Sequence, residues 1–302
     1  MELTCYAGSL ECLKAALESG ADSVYVGGES FGRDTLSDDF SREDLIEGIK
    51  FAHENNKKVY VTINLLPHNK DFKEFEAYLK TLVDLNVDAV IVSEAGTLIT
   101  VKQILPEMKI HLSNVSNVYN YETANFWHEQ GVDRVVISRE LSIKEMETMR
   151  LNTPESLELE AYVHGPVIMS YSGRKLITSY LESKGKDNYS SKKKYNLTEE
   201  KRQGQYSPVY EDEAGTIFFA SRDLCMIEYL DKFIRAGVST LTIEARLNDE
   251  KYVREVVPVY RKAIDDFYNN NFEYNCTEDM LETLKNATPR KHTTGFYLDE
   301  TI

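Results

Sequence analysis

Short runs rich in valine, isoleucine and tyrosine alternate along this chain with amphipathic stretches that close on glycine or asparagine. The runs at 2–6, 23–27, 58–64, 89–93, 109–113, 133–138, 157–164 and 240–245 have strand length and strand composition. The stretches after them carry helix signals. Ser41 precedes Glu43 and Asp44 as an N-cap with an acidic first turn, and Ser142 caps the helix that runs to about Leu151. Six units in a row have short connections, the spacing of a parallel sheet. Eight such units in roughly 270 residues predict an α/β fold, a (β/α)8 TIM-like barrel. A doubly wound open sheet is the alternative. It is disfavoured because no glycine-rich phosphate fingerprint follows the first strand.

The rhythm breaks once, between His164 and Asp223, in a long polar insertion after strand seven. Within it a hairpin is expected from 207–210 and 216–220, turning through 212–215, and a helix over 223–236 leads back to the barrel. After residue 270 comes a short C-terminal appendage with a helix over 277–286. The expected division is therefore a barrel domain, 1–270, containing an insertion at 166–222, and an appendage, 271–302.

At 42% hydrophobic residues the chain is too apolar for disorder, and it has no apolar run of 18 residues. Its start lacks the basic and apolar regions of a secretory signal, so a cytoplasmic protein without membrane contact is expected. Cys5, Cys12, Cys225 and Cys276 are too few for a disulfide framework and form no CxxC pair. With 35 Lys+Arg against 50 Asp+Glu, the net charge of −15 argues against a surface that coats nucleic acid. Residues 184–202 reverse the local balance, because seven basic residues stand against three acidic ones. Lys184, Lys186, Lys192, Lys193 and Lys194, with Tyr189 and Tyr195 interleaved, form a candidate arm for gripping single-stranded RNA, or else an ordinary solvated loop.

In a barrel of this kind function sits where the strands end. That rule selects Asn64 with His68 beyond it, Asn114, Arg139, His164, Glu244 and Arg246. His164 reads as a general base or ligand contact, or as a hydrogen-bonded histidine holding the insertion. Glu244 and Arg246, two apart, point to one face and either pair or bind substrate. Arg139 is suited to clamping a carboxylate. Arg139 and Glu140 point to opposite faces if the strand is still extended there. His111, inside a strand, reads as a core histidine. Tyr171 and Arg174 lie in the loop 169–174, which has no nucleophile-elbow pattern, and no HExxH motif occurs anywhere. No metal site is expected.

The segments Val163-His-Gly165, Met169-Ser-Tyr-Ser-Gly-Arg174 and Ser221-Arg-Asp-Leu-Cys225 resemble the signature region of the collagenase-like peptidase family U32. The runs at 20–25, 57–62, 120–125, 139–141 and 293–296 support the match, which spans nearly the whole chain. The resemblance implies a barrel-like fold. It also implies one of two activities: the proteolysis in the family's name, or the wobble-uridine hydroxylation of tRNA performed by its relatives. Catalytic roles for His164, Glu244 and Tyr171, and ligand contacts by Asn64, His68, Asn114, Arg139, Arg174 and Arg246, are the assignments expected from the strand ends and the 169–174 loop, the loop reading alternatively as a former cluster cradle kept for folding. Relatives that need prephenate imply a small carboxylic acid in the barrel mouth. Relatives also hold an iron–sulfur cluster on four cysteines. Here the matching positions carry Ile168, Lys175 and Ser191, and only Cys225 remains, so no cluster is expected in this chain. The resemblance then implies a cluster-bearing paralogous subunit as partner, with this chain catalytic beside it or a non-catalytic scaffold.

Overall fold

A computed structural model describes residues 1–28, 40–64, 67–185, 193–198, 200–201, 204–213 and 215–298, with Lys193 described in its backbone only. The expected units are all present: β1 (Glu2–Ala7), α1 (Leu10–Glu18), β2 (Ser23–Gly27), α2 (Arg42–Glu54), β3 (Lys58–Thr62), α3 (Phe72–Asp84), β4 (Ala89–Val92), α4 (Ala95–Ile104), β5 (Ile110–Leu112), α5 (Tyr121–Glu129), β6 (Arg134–Val136) and α6 (Ile143–Leu151). They are followed by β7 (Glu158–Ser172), α7 (Leu176–Ser183), β8 (Lys193–Thr198), β9 (Tyr206–Asp212), β10 (Gly215–Cys225), α8 (Leu230–Arg235), β11 (Thr240–Ile243), α9 (Glu250–Asn269), α10 (Glu278–Ala287) and β12 (His292–Thr293).

Strands β1 to β7 pair in parallel in sequence order, and β11 pairs in parallel with both β7 and β1. The eight strands therefore close into a barrel, ringed by helices. The helix boundaries are written locally. Ser41 with Asp44, and Ser142 with Glu145, form reciprocal capping boxes. Gly20, Asn56, Asn86, Gly131 and Gly237 each stand two residues past a helix end with positive φ, which explains the glycine and asparagine punctuation.

The lower end of the barrel, where the strands begin, is plugged by charge. Arg134 on β6 reaches Glu2 at 2.8 Å, Glu158 at 2.6 Å and Glu160 at 3.3 Å. Glu160, fully buried, also accepts from Tyr25 Oη at 2.8 Å and Thr242 Oγ1 at 2.7 Å. His111 lies in this interior, its Nδ1 2.7 Å from Tyr25 Oη, as its place inside a strand suggested. Burial pushes the Glu160 carboxyl up despite Arg134. Burial acts on Glu2 in the same direction, but there the arginine outweighs it and brings the carboxyl down to about 2.

The insertion departs from expectation in three places. First, β7 does not stop at His164. It runs on to Ser172 as a 15-residue strand that leaves the barrel and pairs antiparallel with β10. Second, the expected hairpin exists as β9 and β10, but β8 adds a further antiparallel strand against β9. The 193–198 part of the basic run is thus a sheet edge, not a flexible arm, because backbone pairing to Glu211 through Tyr206 fixes it. Third, β10 continues to Cys225, so 223–236 is not one helix. A 3-10 turn at Ile227–Tyr229 precedes the short α8, and Cys225 is a strand residue rather than a helix thiol.

The residues after 270 pack back onto the barrel. Met280, Leu284 and Tyr297 are buried, β12 pairs with β10, and Arg290 bonds Asp223 at 2.7 Å.

Candidate active site at the barrel mouth

The C-terminal ends of the strands surround a cavity of about 340 Å3. It is lined by Tyr6, Asn64, Ser113, Asn114, Ser138, Arg139, Glu140, Tyr162, Glu244 and Arg246 from the strand ends and the turns that follow them. The β7 extension adds Ile168, Met169, Ser170 and Tyr171, and β10 adds Ile217. The insertion is therefore a wall of the mouth, built by prolonging a barrel strand.

Two arginines line the cavity. Arg246 holds Glu244 bidentately, Nε to Oε1 at 2.8 Å and Nη2 to Oε2 at 2.7 Å, and its guanidinium lies 4.0 Å from the Tyr6 ring centre. Arg139 lies 5.3 Å from the Tyr162 ring centre and donates from Nη2 to the Ile168 carbonyl at 2.6 Å. Tyr6 and Tyr162 are themselves stacked, 6.3 Å apart with 12° between the rings. Among the described residues no carboxylate makes an ion pair with Arg139. Arg246 is thus paired within the protein, whereas Arg139 spends one donor on a backbone carbonyl and faces no described carboxylate partner. Burial, and next the nearby Glu244, push the Tyr162 phenol up, so it stays protonated.

Six of the nine expected catalytic and ligand residues meet here: Asn64, Asn114, Arg139, Tyr171, Glu244 and Arg246. Arg139 and Glu140 both line the cavity, because they occupy a turn rather than an extended strand. Three do not take part. His164 lies within β7, fully buried, with Nδ1 3.1 Å from Tyr260 Oη and its ring 5.6 Å from that of His292. Burial, reinforced by His292, lowers its pKa to about 3, and the cavity lining includes no histidine. His164 holds the insertion and tail in place, which is the structural alternative, and it does not face the mouth. His68 receives its own contact at the backbone, donating N–H to Asp71 Oδ2 at 2.7 Å before α3, outside the lining. Arg174 is exposed in the turn between β7 and α7, also outside it.

Of the basic run, Lys184 ends α7 with Nζ 5.8 Å over Tyr180, and Lys194 on β8 has Nζ 5.2 Å over Tyr210. Lys186, Lys192 and the Lys193 side chain lie outside the described residues. Tyr6, Ser138, Glu140, Tyr162, Tyr119 and Met169 are cavity residues that strand-end reasoning did not select as ligand contacts. Tyr6 and Ser138 were within its reach, since each closes a strand run.

The thiols do not fit an iron–sulfur cluster. Cys5 and Cys12 are buried near β1, Cys225 lies on β10 and Cys276 in the tail. Burial pushes the Cys225 thiol up to about 11. Ile168 lines the mouth, and Lys175 is paired with Glu213 at 2.6 Å. Among the described residues no three His, Cys, Asp or Glu side chains are placed to hold a metal.

Fold and mouth together define a (β/α)8 barrel protein with a polar, arginine-bearing cavity walled by an insertion of its own seventh strand. The chain belongs to peptidase family U32, whose model matches residues 8–301. It is 34% identical to "tRNA hydroxylation protein P" of Escherichia coli K12 over 98% of this chain and 74% of that one. It is also 34% identical to "tRNA hydroxylation protein P2" of Bacillus subtilis 168, over 95% of this chain and 94% of that one. A solved U32 peptidase superposes with a TM-score of 0.52 at 15% identity, covering 81% of this chain and 92% of that one, a likeness of fold. No described helix is long and apolar enough to cross a membrane.

Proposed function

We propose that this chain takes part in the hydroxylation of tRNA, at the wobble uridine, and works in the cytoplasm. The observation that carries the reading is its one-third identity, along almost its full length, to proteins named for tRNA hydroxylation. The mouth is consistent with that role. Arg139 offers a charged, donor-rich edge to a small carboxylic acid, Asn64 and Asn114 offer amides, and Glu244 and Arg246 line the cavity as an ion pair. Since the thiols do not fit a cluster, the chain binds and positions, and a cluster-bearing paralogous subunit supplies the oxidation. Lys184 and Lys194, beside Tyr180 and Tyr210 on the outer insertion, are the candidate contacts for RNA phosphates.

The peptidase reading has weaker support. The cavity lining includes no histidine, and His164 is turned into the core. Deleting the gene and profiling tRNA nucleosides by mass spectrometry tests the proposal. Loss of 5-hydroxyuridine derivatives is expected, and an unchanged profile overturns it. Native mass spectrometry after co-expression with paralogues tests the partner; a strictly homomeric protein overturns that part.

A further inference from the structure

We infer that the rim of the mouth is a stacking slot for a single unstacked nucleobase, formed by Tyr119 and Met169 on either side of Arg139. The inference rests on the tRNA reading and assigns the residues that would receive the base.

Three large apolar side chains that line the cavity are also exposed: Val115 at 36%, Tyr119 at 44% and Met169 at 64%. Exposed apolar groups gathered at the opening of a polar cavity mark a binding surface rather than a core. They come from two segments. Val115 and Tyr119 belong to the connection between β5 and α5, and Met169 to the β7 extension. In barrel order β6 stands between those strands, and its following turn carries Arg139. The rim therefore reads apolar, cationic, apolar across three consecutive strand ends.

Both apolar walls are preformed by the backbone. Asn117 takes a left-handed conformation, φ 55°, and closes a 3-10 turn over Asn114–Ser116. Ser116 Oγ ties that turn to the Ser93 carbonyl at 2.8 Å. This device carries Tyr119 over the mouth. On the other side, Ser170 pairs with Phe218 and Ile168 with the next residue, Phe219, so Met169 is the extra residue of a β-bulge. A bulge re-aims a side chain that regular pairing would place elsewhere.

The occupant follows from size and chemistry. A cavity of about 340 Å3 lies at the lower end of the ~300–1,000 Å3 range of small-molecule sites. It suits one planar ring with a small anion, not a peptide strand. Flat ring faces stack on tyrosine and pack on methionine sulfur. Asn114 and Asn117 line the same cavity with side-chain amides, groups that both donate and accept, as the edge of a base does. Arg139, with no ion pair among the described residues, places a cation between the two apolar walls. Proteins that act on a base take it out of its stack and hold it in such a pocket.

The test uses the full chain and three probes: whole tRNA, a short oligouridine, and the same oligomer with its central nucleotide abasic. Binding is read by fluorescence anisotropy for the natural protein, Tyr119→Phe, Tyr119→Ala, Met169→Ala and the double alanine variant, with melting temperatures as a folding control. The natural protein is expected to prefer the oligouridine to its abasic form about tenfold. Tyr119→Phe keeps that preference, each alanine variant weakens it, and the double variant abolishes it. If the double variant discriminates like the natural protein while tRNA still binds, the slot is wrong and the tRNA reading stands. If the natural protein binds no RNA probe and the tRNA nucleosides are unchanged on gene deletion, both fall. Equal competition by an unstructured apolar peptide also overturns the slot.

Discussion

Arg246 grips Glu244 with two N–H donors at 2.7 and 2.8 Å while its guanidinium covers the Tyr6 ring at 4.0 Å. Both side chains are almost wholly withdrawn from water. A pair like this is costly to break from one side, because the survivor is left as an uncompensated charge. Glu244→Gln is expected to lower unfolding free energy by about 3 kcal/mol in urea titrations, and the double variant Glu244→Gln, Arg246→Met to recover part of it. With Arg246→Met as the second single variant, a double loss equal to the sum of the two single losses would show that the pair does not couple.

Arg139 should behave in the opposite way. It gives one bond to the Ile168 carbonyl and stacks on Tyr162, but has no described carboxylate partner. Arg139→Met is expected to leave stability within about 1 kcal/mol and to weaken binding of a small carboxylic acid by roughly 10- to 100-fold, the worth of a charge-assisted bidentate contact. Arg139→Lys should restore only part of that, since a point charge cannot reproduce the fork. Calorimetric titration of the two variants decides it.

Lys184 caps the end of α7 and Lys194 sits on β8, beside Tyr180 and Tyr210. If they meet phosphates, replacing both by alanine reduces the slope of log affinity against log salt by about 0.7 per lysine for a single-stranded probe, without changing its preference among sequences. A slope that stays unchanged assigns RNA contact to other residues.

The alternation of apolar runs and capped helices made the barrel legible, because each strand and each cap is a local property of a few residues. Asn64, Asn114, Arg139, Glu244 and Arg246 were legible for the same reason: they end strands, and strand ends meet at one mouth. His164 misled because it stands where a strand was expected to stop. Pairing with β10, distant in sequence, carries β7 on to Ser172 and leaves His164 inside the structure. The bulge at Met169 depends on that same pairing and has no local signature. Nor has the Arg134 cluster, whose carboxylates come from β1 and β7.

Arg134 is the buried counter-charge for Glu2 and Glu160 at the end of the barrel away from the mouth. Arg134→Met should therefore cost stability, about 3–5 kcal/mol, by stranding those carboxylates. At temperatures where the variant is folded, ligand binding at the mouth should be unchanged. Denaturant unfolding measured together with anion titration separates the two effects, and a variant that loses binding while keeping stability would contradict this assignment.

The buried histidines set the response to acid. Burial, reinforced by His292, lowers His164 to about 3, and burial with Arg134 and Lys109 holds His111 well below its ordinary value. In the unfolded chain both imidazoles titrate near 6.5. Above that pH neither state binds a proton there and the contribution is level. As pH falls below it, the unfolded chain takes up protons that the native one refuses, so stability declines, by about 1.4 kcal/mol per pH unit for each such histidine, down to the folded value. Glu2, lowered to about 2, adds its own loss as pH falls through the ordinary carboxylate range, while the raised Glu160 acts in the opposite sense, so His164 is isolated by comparing a variant with the natural protein between pH 6 and 5. His164→Phe keeps the Tyr260 hydroxyl on its other acceptor, the Val163 carbonyl at 3.0 Å. Urea unfolding at pH 7, 6 and 5 should show the slope in that window shallower by about 1.4 kcal/mol per unit for this variant. An unchanged slope would mean that His164 is protonated in the folded protein, against its burial.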